Sequence, residues 1–347
     1  MANVWRGVGR WLITASTTLL SIAGLTALVV TLAGAHLGDV LTALYQGAAG
    51  SRYDIGNTLN RTTPLLLTGL GVAIAFRAKI WNIGGEGQFL VGAIAASAVG
   101  AYKLHNLPAP VLIPLVLVAG AFAGAAWGAV AGALRAWRGV PEVISTIMLN
   151  FVAAQLLSYL LHGPMQESTH AQPASEALPA NAQLPVILSE TTLHFGLYLA
   201  LAAILVVTIY LFATPGGFAL RVVGDNPDAA RASGVNVALT QVSAMAWSGA
   251  LCGLAGAIEL SGKLGSLYEN YAPGYGFTAV AVALLGRLNP WTIALSALFF
   301  GALSAGSGSM ERSAHVSSVL IFVIQGATLL ALLASQRIQA MRRSAAE

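Results

Sequence analysis

The residues able to do chemistry are few, and they gather in short segments. Gly84, Gly85, Glu86, Gly87 and Gln88 place a carboxylate and an amide among three glycines, with Asn82 just upstream. Asp225 to Arg231 packs two carboxylates, an amide and a guanidinium into one short loop segment. Glu142 follows Pro141, and Glu259 ends an apolar stretch. Six histidines (His36, His105, His162, His170, His194 and His315) are scattered and form no H-E-x-x-H pair; their spacing reads as loop histidines before a metal or pH-sensing site. Cys252 is the single cysteine, so no internal disulfide is possible. The three lysines, Lys79, Lys103 and Lys263, all lie outside any G-x-x-x-x-G-K-[ST] loop, and G-x-S-x-G does not occur. P-loop ATP binding is therefore excluded, and no motif for zinc or serine-elbow hydrolysis is present. What remains is binding, gating and docking.

The elements that must position these residues follow from composition. Of 347 residues, 56% are hydrophobic and only 9% charged. A soluble domain carries about 25% charge. The deficit excludes an ordinary cytosolic enzyme, a nucleic-acid binder and a disordered chain, and points to a surface that faces lipid. The 38 glycines suit closely packed membrane helices. Charge-free stretches of fifteen or more residues number ten: 11–38, 62–76, 87–102, 104–134, 143–166, 191–220, 232–258, 270–286, 288–310 and 313–336. A membrane helix needs about 20 apolar residues. The stretch 62–76 reaches that length only by extending back through Thr58 and Asn60; 87–102 follows the glycines and reads as partly broken or re-entrant. Strand-like alternation is missing. The predicted fold is all-α: a single polytopic domain over 1–347 with about ten transmembrane helices.

Orientation follows from Lys and Arg. With both termini cytoplasmic, twelve of them fall inside and five (Arg52, Arg61, Lys103, Lys263 and Arg312) outside. The first apolar run exceeds a signal-peptide h-region of roughly 7–15 residues and is predicted to be an uncleaved helix. The loop 163–192 is then external. It carries Glu167, Glu176 and Glu190 with no Lys or Arg, and reads as a solvated connector or a contact for an external protein.

The loop 214–238 is cytoplasmic and has local structure of its own. Asn226 is suited to N-cap, Pro227 to the first helical position, Asp228 to the positive helix end, and Gly234 to the residue that stops the helix. Ala229, Ala230, Ala232 and Ser233 give that two-turn helix small sides. Two readings stand: docking into a cleft on another protein, or packing along the headgroups. The glycine-rich segment also has two readings, since irregular backbone in a membrane must face protein or a watery cavity. It forms a gate, or it forms a polar network tying two helices. Glu142 reads as a helix-start carboxylate, and Glu259 as interfacial or paired.

Three stretches together resemble one family. LRVVGDNPDAARASGVNV (220–237) is similar to the cytoplasmic coupling loop of permeases in ABC importers for ribose-type sugars and nucleosides. FRAKIWNIGGEGQFLVGA (76–93) and GYGFTAVAVALLGRLNP (274–290) resemble the hallmarks of its nucleoside branch, and GALRAWRGVPEVISTIMLNF (132–151) fits between them. The resemblance spans roughly 58–335; SLYENYAP (266–273) has no match in it.

The resemblance implies a permease subunit in the bacterial cytoplasmic membrane. Its partners would be a second permease, identical or related, a separate ABC ATPase holding ATP and Mg²⁺, and an extracytoplasmic binding protein. No cofactor is expected on this chain, and no nucleic acid. ATP-driven closure would reach it through Gly224, Asp225, Asn226, Pro227, Asp228, Ala229, Ala230, Arg231 and Gly234. A nucleoside is neutral, flat at its base and hydroxylated at its ribose, so aromatic and amide side chains suit its path. Candidates for the pathway or gate are Phe76, Trp81, Asn82, Glu86, Gln88, Asn150, Trp247 and Phe277, with Asn60, Phe151, Gln155 and Gln325 behind them. Each also reads as a packing anchor or an interhelical hydrogen bond. A simple-sugar permease is the alternative. An ion-coupled secondary transporter and a non-transporting scaffold are the rival classes; the first of these usually carries acids, histidines or lysines within its spans, and few occur here.

Overall fold

The computed structural model of the chain describes residues 36–331, apart from 270, 272, 273, 315, 316, 318, 328 and 329, together with residues 24, 27, 30 and 31. The predicted span 11–38 lies almost wholly outside these residues, and 313–336 in part. The chain divides into two compact units, residues 1–54 with 302–347, and residues 55–301.

In the first unit, helix α1 (Leu37–Ala49) buries Val40, Ala43 and Leu44 in an apolar cluster with Met310, Ile321 and Ile324. Gly306 lies against the backbone of Leu44 and Gly47 against Ser309, so small residues set the approach here.

The second unit holds α2 (Arg52–Arg77, from residue 55), α3 (Gly85–Ser97), α4 (Ala109–Arg138), α5 (Glu142–Leu161), α6 (Gly196–Ala213), α7 (Pro215–Asp225), α8 (Pro227–Ala232), α9 (Val237–Glu259), α10 (Tyr275–Leu285) and the start of α11 (Pro290–Ala314). Six helices among the described residues are long and apolar enough to cross a membrane: 52–77, 109–138, 142–161, 196–213, 237–264 and 290–313. A π-helical turn, Ala98–Lys103, continues α3, and a second, Leu260–Leu264, continues α9.

Two predicted spans differ from what is observed. Residues 270–286 supply only the 11-residue α10, about 17 Å at 1.5 Å per residue against a core of about 30 Å. Gly274, at φ 84°, starts it and Gly286 ends it. The segment 87–102 is not broken within itself: the irregular backbone precedes it, and the helix runs from Gly85.

A glycine stripe assembles the core. Gly120, Gly124, Gly128 and Gly132 recur every fourth residue and form the buried face of α4, while Val118, Phe122 and Val130 are exposed opposite. This stripe lies on α9, where a Cβ at Gly120 would come 2.5 Å from Ala257 Cβ and one at Gly124 would collide with Gly249 and Gly253. Gly92 of α3 abuts Gly253, and Gly256 abuts the Phe89 carbonyl. In lipid there is no hydrophobic drive between helices, so backbone approach over such small residues supplies the attraction.

Helix α2 is buried on nearly all sides. Its threonines avoid unpaired hydroxyls by donating back one turn: Thr62 Oγ1 to Thr58 O at 2.8 Å and Thr68 Oγ1 to Pro64 O at 2.6 Å.

The loop between α5 and α6 is stitched to the segment after α9. Ser175 N donates to Leu267 O, Leu178 N to Gly265 O and Leu184 N to Ser261 O, at 2.7–2.8 Å. Leu178, Ala182 and Leu184 are buried. This loop is a packed layer, which corrects the solvated-connector reading. The shorter loop also holds more structure than predicted. Thr214 caps α7, accepting from Gly217 N at 3.1 Å, ahead of the predicted two-turn helix α8.

Candidate functional site

A cavity of about 430 Å³ lies between α3, α5 and α10. Its wall combines the aromatic faces of Phe151 and Phe277 with the amides of Asn150 and Gln155 and the carboxylates of Glu86 and Glu269. Sequence positions from 86 to 277 meet here.

Polar groups that shape the wall are firmly tied. Glu86 Oε1 accepts from Gly274 N at 2.9 Å and Oε2 from Gly276 N at 2.6 Å. It therefore caps the N-terminus of α10, where exposed N–H groups and the helix dipole favour a carboxylate. Only glycine fits at 276, because a Cβ would collide with the Glu86 backbone. Asn150 Oδ1 accepts from Gly87 N at 2.8 Å, and its Nδ2 donates to Ile83 O at 2.9 Å. One amide thus holds both sides of the glycine-rich turn. Behind it, Asn82 Nδ2 donates to Gln88 Oε1 at 2.9 Å and to Ser248 Oγ at 2.7 Å. Asn82 and Gln88 are buried in this network and do not line the cavity.

The remaining predicted pathway residues lie elsewhere. Phe76 and Trp81 pack on each other, centroids 4.7 Å apart, beside the end of α2. Trp247 packs on Tyr210 at 5.4 Å and borders a separate apolar groove. Asn60 Nδ2 donates to Thr192 O at 2.6 Å, anchoring the long loop. Gln325 belongs to the first unit. Glu142 is fixed by Arg135, Nε to Oε2 3.3 Å, and accepts from Trp81 N at 3.4 Å. Glu259 is paired with Lys263 at 3.4 Å.

Sequence reasoning left Glu269, Tyr271 and Ser158 without roles. Ser158 Oγ donates to Glu269 Oε1 at 3.0 Å, and His162 Nδ1 lies 3.8 Å from the same oxygen. Tyr271, fully buried, donates to Gly256 O at 3.0 Å and packs on Phe89. A lone acid between two tyrosines was the visible signal in SLYENYAP.

At the other candidate site, Asn226 Oδ1 accepts from Asp228 N at 3.0 Å and Ala229 N at 3.1 Å, and Gly234 takes φ 80°. Asp228, Ala229, Arg231, Ala232 and Ser233 are exposed, whereas Ala230 is fully buried. Ala230 therefore faces the protein, and the outward surface is Asp228, Ala229, Arg231, Ala232 and Ser233. Arg231 Nη1 meets Asp228 Oδ1 at 2.7 Å, an exposed pair of small energetic weight. A cleft of about 690 Å³ separates this helix from the ends of α4 and α9, bordered by Arg135, Pro227, Arg231 and Gln241. The root of the segment is tight: Gly224 sits on the Arg77 carbonyl, where a Cβ would collide, and Lys79 Nζ reaches Asp225 O at 3.4 Å. No group of three or more His, Cys, Asp or Glu positioned for a metal occurs among the described residues.

A bundle of membrane-length helices with a polar-lined cavity among them, and a capped helix outside those spans, is the architecture of a multi-pass membrane protein. The chain belongs to the family described as "Branched-chain amino acid transport system / permease component", which matches residues 54–332. Members are transport subunits rather than enzymes, and this chain is a membrane permease subunit of an ABC importer. It is 34% identical over 343 residues to the glucose ABC transporter permease protein TsgB13 of Haloferax volcanii, covering 95% of this chain and 90% of that one. It is 35% identical to the guanosine ABC transporter permease protein NupP of Bacillus subtilis, covering 86% of each. It is 34% identical to the nucleoside ABC transporter permease protein NupB of Lactococcus lactis, over 78% of this chain and 76% of that one.

Proposed function

We propose that this permease carries nucleosides across a bacterial cytoplasmic membrane by alternating access, driven by a separate ATPase. The observation that carries the substrate reading is the cavity between α3, α5 and α10. Two aromatic faces beside two amides and two carboxylates suit a flat base joined to a hydroxylated sugar. Its volume of about 430 Å³ lies within the range of small-molecule sites, about 300–1,000 Å³. Relatives named for guanosine and nucleosides support the same reading. The relative named for glucose supports a second one, a simple sugar.

In this proposal the segment Gly224–Gly234 receives the ATPase on the cytoplasmic side, and Asp228, Ala229 and Ala232 form the contact. ATP and Mg²⁺ bind the ATPase, a second permease completes the membrane part, and an extracytoplasmic protein delivers substrate. Both termini are cytoplasmic, supported by the twelve-to-five distribution of Lys and Arg. The close seat of Gly224 on the end of α2 gives motion of the docked segment a direct path into the buried central helix.

The test is reconstitution with the cognate ATPase and binding protein in proteoliposomes. Labelled guanosine and uridine should accumulate with ATP, whether or not an ionophore is present. Uptake of glucose with none of either nucleoside would overturn the substrate reading. Ionophore-sensitive uptake without an ATPase would overturn the coupling.

A further inference from the structure

The cavity between α3, α5 and α10 has two unlike ends. Phe277 stands in the first turn of α10 beside Gly276, whose N–H donates to Glu86. Gly87, next to Glu86, donates to Asn150, the neighbour of Phe151. Both phenyl rings therefore belong to one end, and neither is paired with another ring among the described residues. The other end lies at Ser158. It is seven residues along α5 from Phe151 and on the same face, about 10 Å away at 1.5 Å per residue. There Ser158 Oγ donates to Glu269 Oε1 at 3.0 Å.

The polar groups of the wall differ in what they have left to offer a ligand. Both Glu86 oxygens accept from the backbone of α10, and both ends of the Asn150 amide are bonded around the glycine-rich turn. The Tyr271 hydroxyl donates to Gly256 O. Two groups stay open: Glu269 Oε2 and the Gln155 amide have no hydrogen-bond partner among the described residues. His162 Nδ1 lies 2.9 Å from Ser158 O and 3.8 Å from Glu269, and no Lys or Arg lines the cavity. This end thus presents an acceptor held in place by Ser158. An ionised carboxylate can only accept, so its complement is a ligand with O–H or N–H donors. A ligand whose base lies against the phenyl rings brings its sugar to Glu269, and the donors of a ribose there are two adjacent hydroxyls.

We infer that Glu269 is a specificity-determining residue: it accepts from the 2′- and 3′-hydroxyls of a ribose while Phe151 and Phe277 cover the base, and Ser158 positions it. The inference rests on the nucleoside reading above and narrows it to ribonucleosides, carried in preference to their 2′-deoxy forms. Hydrogen bonds to an ionised acceptor are the stronger kind, and a site built on a substrate hydroxyl loses the analogue that lacks it. A phosphate on the sugar would meet a like charge, so nucleotides are turned away. Gln155 lies between the two ends and, as donor and acceptor both, does not discriminate.

The experiment uses the permease with its ATPase and binding protein in proteoliposomes. ATP-driven uptake of labelled guanosine and 2′-deoxyguanosine is measured, each at a concentration that saturates the binding protein. The unaltered chain is compared with Glu269→Gln, which keeps the size and an acceptor for Ser158 but removes the charge. The binding protein is the same throughout, so its own preference cancels when the ratio of the two uptakes is compared between chains. The ratio of guanosine to 2′-deoxyguanosine should fall roughly fivefold or more in Glu269→Gln. Ser158→Ala, which leaves the acid but releases it, should lower the ratio in the same direction by less. An equal fall of both uptakes would give Glu269 a structural role or a place at the base, and would overturn the inference, as would unchanged uptake of both. If Glu269→Gln does not fold, Ser158→Ala decides, and an unmoved ratio there counts against the inference. Uptake of glucose and of neither nucleoside by the unaltered chain would sink the nucleoside reading itself. Nucleoside uptake with an unmoved ratio in the variants would sink only the role of Glu269.

Discussion

The two long loops of the second unit are built in opposite ways. Residues 162–195 return to the body at regular intervals, through backbone bonds from 175, 178 and 184 to the segment 261–267. Met165, Leu178, Leu184 and Leu193 are buried, and even His194 is buried against Gly262. Residues 214–236 are seated on the body at Leu220, Val223, Gly224 and Ala230, and cap their own helices. Thr214, Asn226 and Asn236 each cap the helix that follows them, and the far side of α8 is exposed. The first loop gains its order from the core and closes the bundle. The second combines that seat with its own caps and leaves the far side of α8 exposed.

Substitutions can break this contrast. The largest effect is expected at Leu184, buried in the first loop. Leu184→Asp places a carboxylate in an apolar, backbone-bonded layer, which costs several kcal/mol, and the yield of folded protein and its unfolding temperature should fall together. Retention of the native unfolding temperature would show that this loop is not part of the folded core.

The next effect separates two adjacent alanines. Ala229→Trp on the exposed face of α8 should cut ATP-driven uptake roughly tenfold or more, as a lost contact of about 1.4 kcal/mol would, with no change in unfolding temperature. Ala230→Trp should instead lower the unfolding temperature, since Ala230 is fully buried. Uptake unaffected by Ala229→Trp would remove the docking role from this face.

The last effect is confined to acid pH and vanishes at neutral pH. Burial and the nearby Lys263 ammonium push the His194 pKa down to about 4, and its Nδ1 accepts from Gly196 N at 3.2 Å. The folded chain thus holds neutral histidine where the unfolded chain is protonated below about 6.5. Stability should be fully present above about 6.5 and should decline as pH falls toward about 4, because the unfolded state then binds the extra proton. His194→Gln should flatten that decline in unfolding measured across this window. An unchanged slope would assign it to other groups.

Much of the candidate site was legible in sequence, and unevenly so. Asn226, Pro227 and Gly234 announce α8 because a cap bonds within three residues of itself. Glu86 and Asn150 were identifiable as polar groups in apolar surroundings, but their partners, Gly274, Gly276, Ile83 and Gly87, lie in other segments or around an irregular turn. Phe277 and Trp247 look alike as aromatics in membrane stretches. Packing puts one at the cavity and the other on the apolar groove. The glycine stripe of α4 was visible every fourth residue, yet nothing local names α9 as its partner.

The sequence by itself determined a polytopic helical protein, its family and the capped helix outside its spans. Charge scarcity, hydropathy and caps act between near neighbours, so a single strand of text carries them. Tertiary structure alone decided that Glu86 caps α10, that Ala230 faces inward, that residues 270–286 hold a short helix, and that Ser158 meets Glu269. Those outcomes depend on groups far apart in the chain brought within a few ångströms by backbone contact over glycine. That contact is a property of the assembled helices rather than of any one of them.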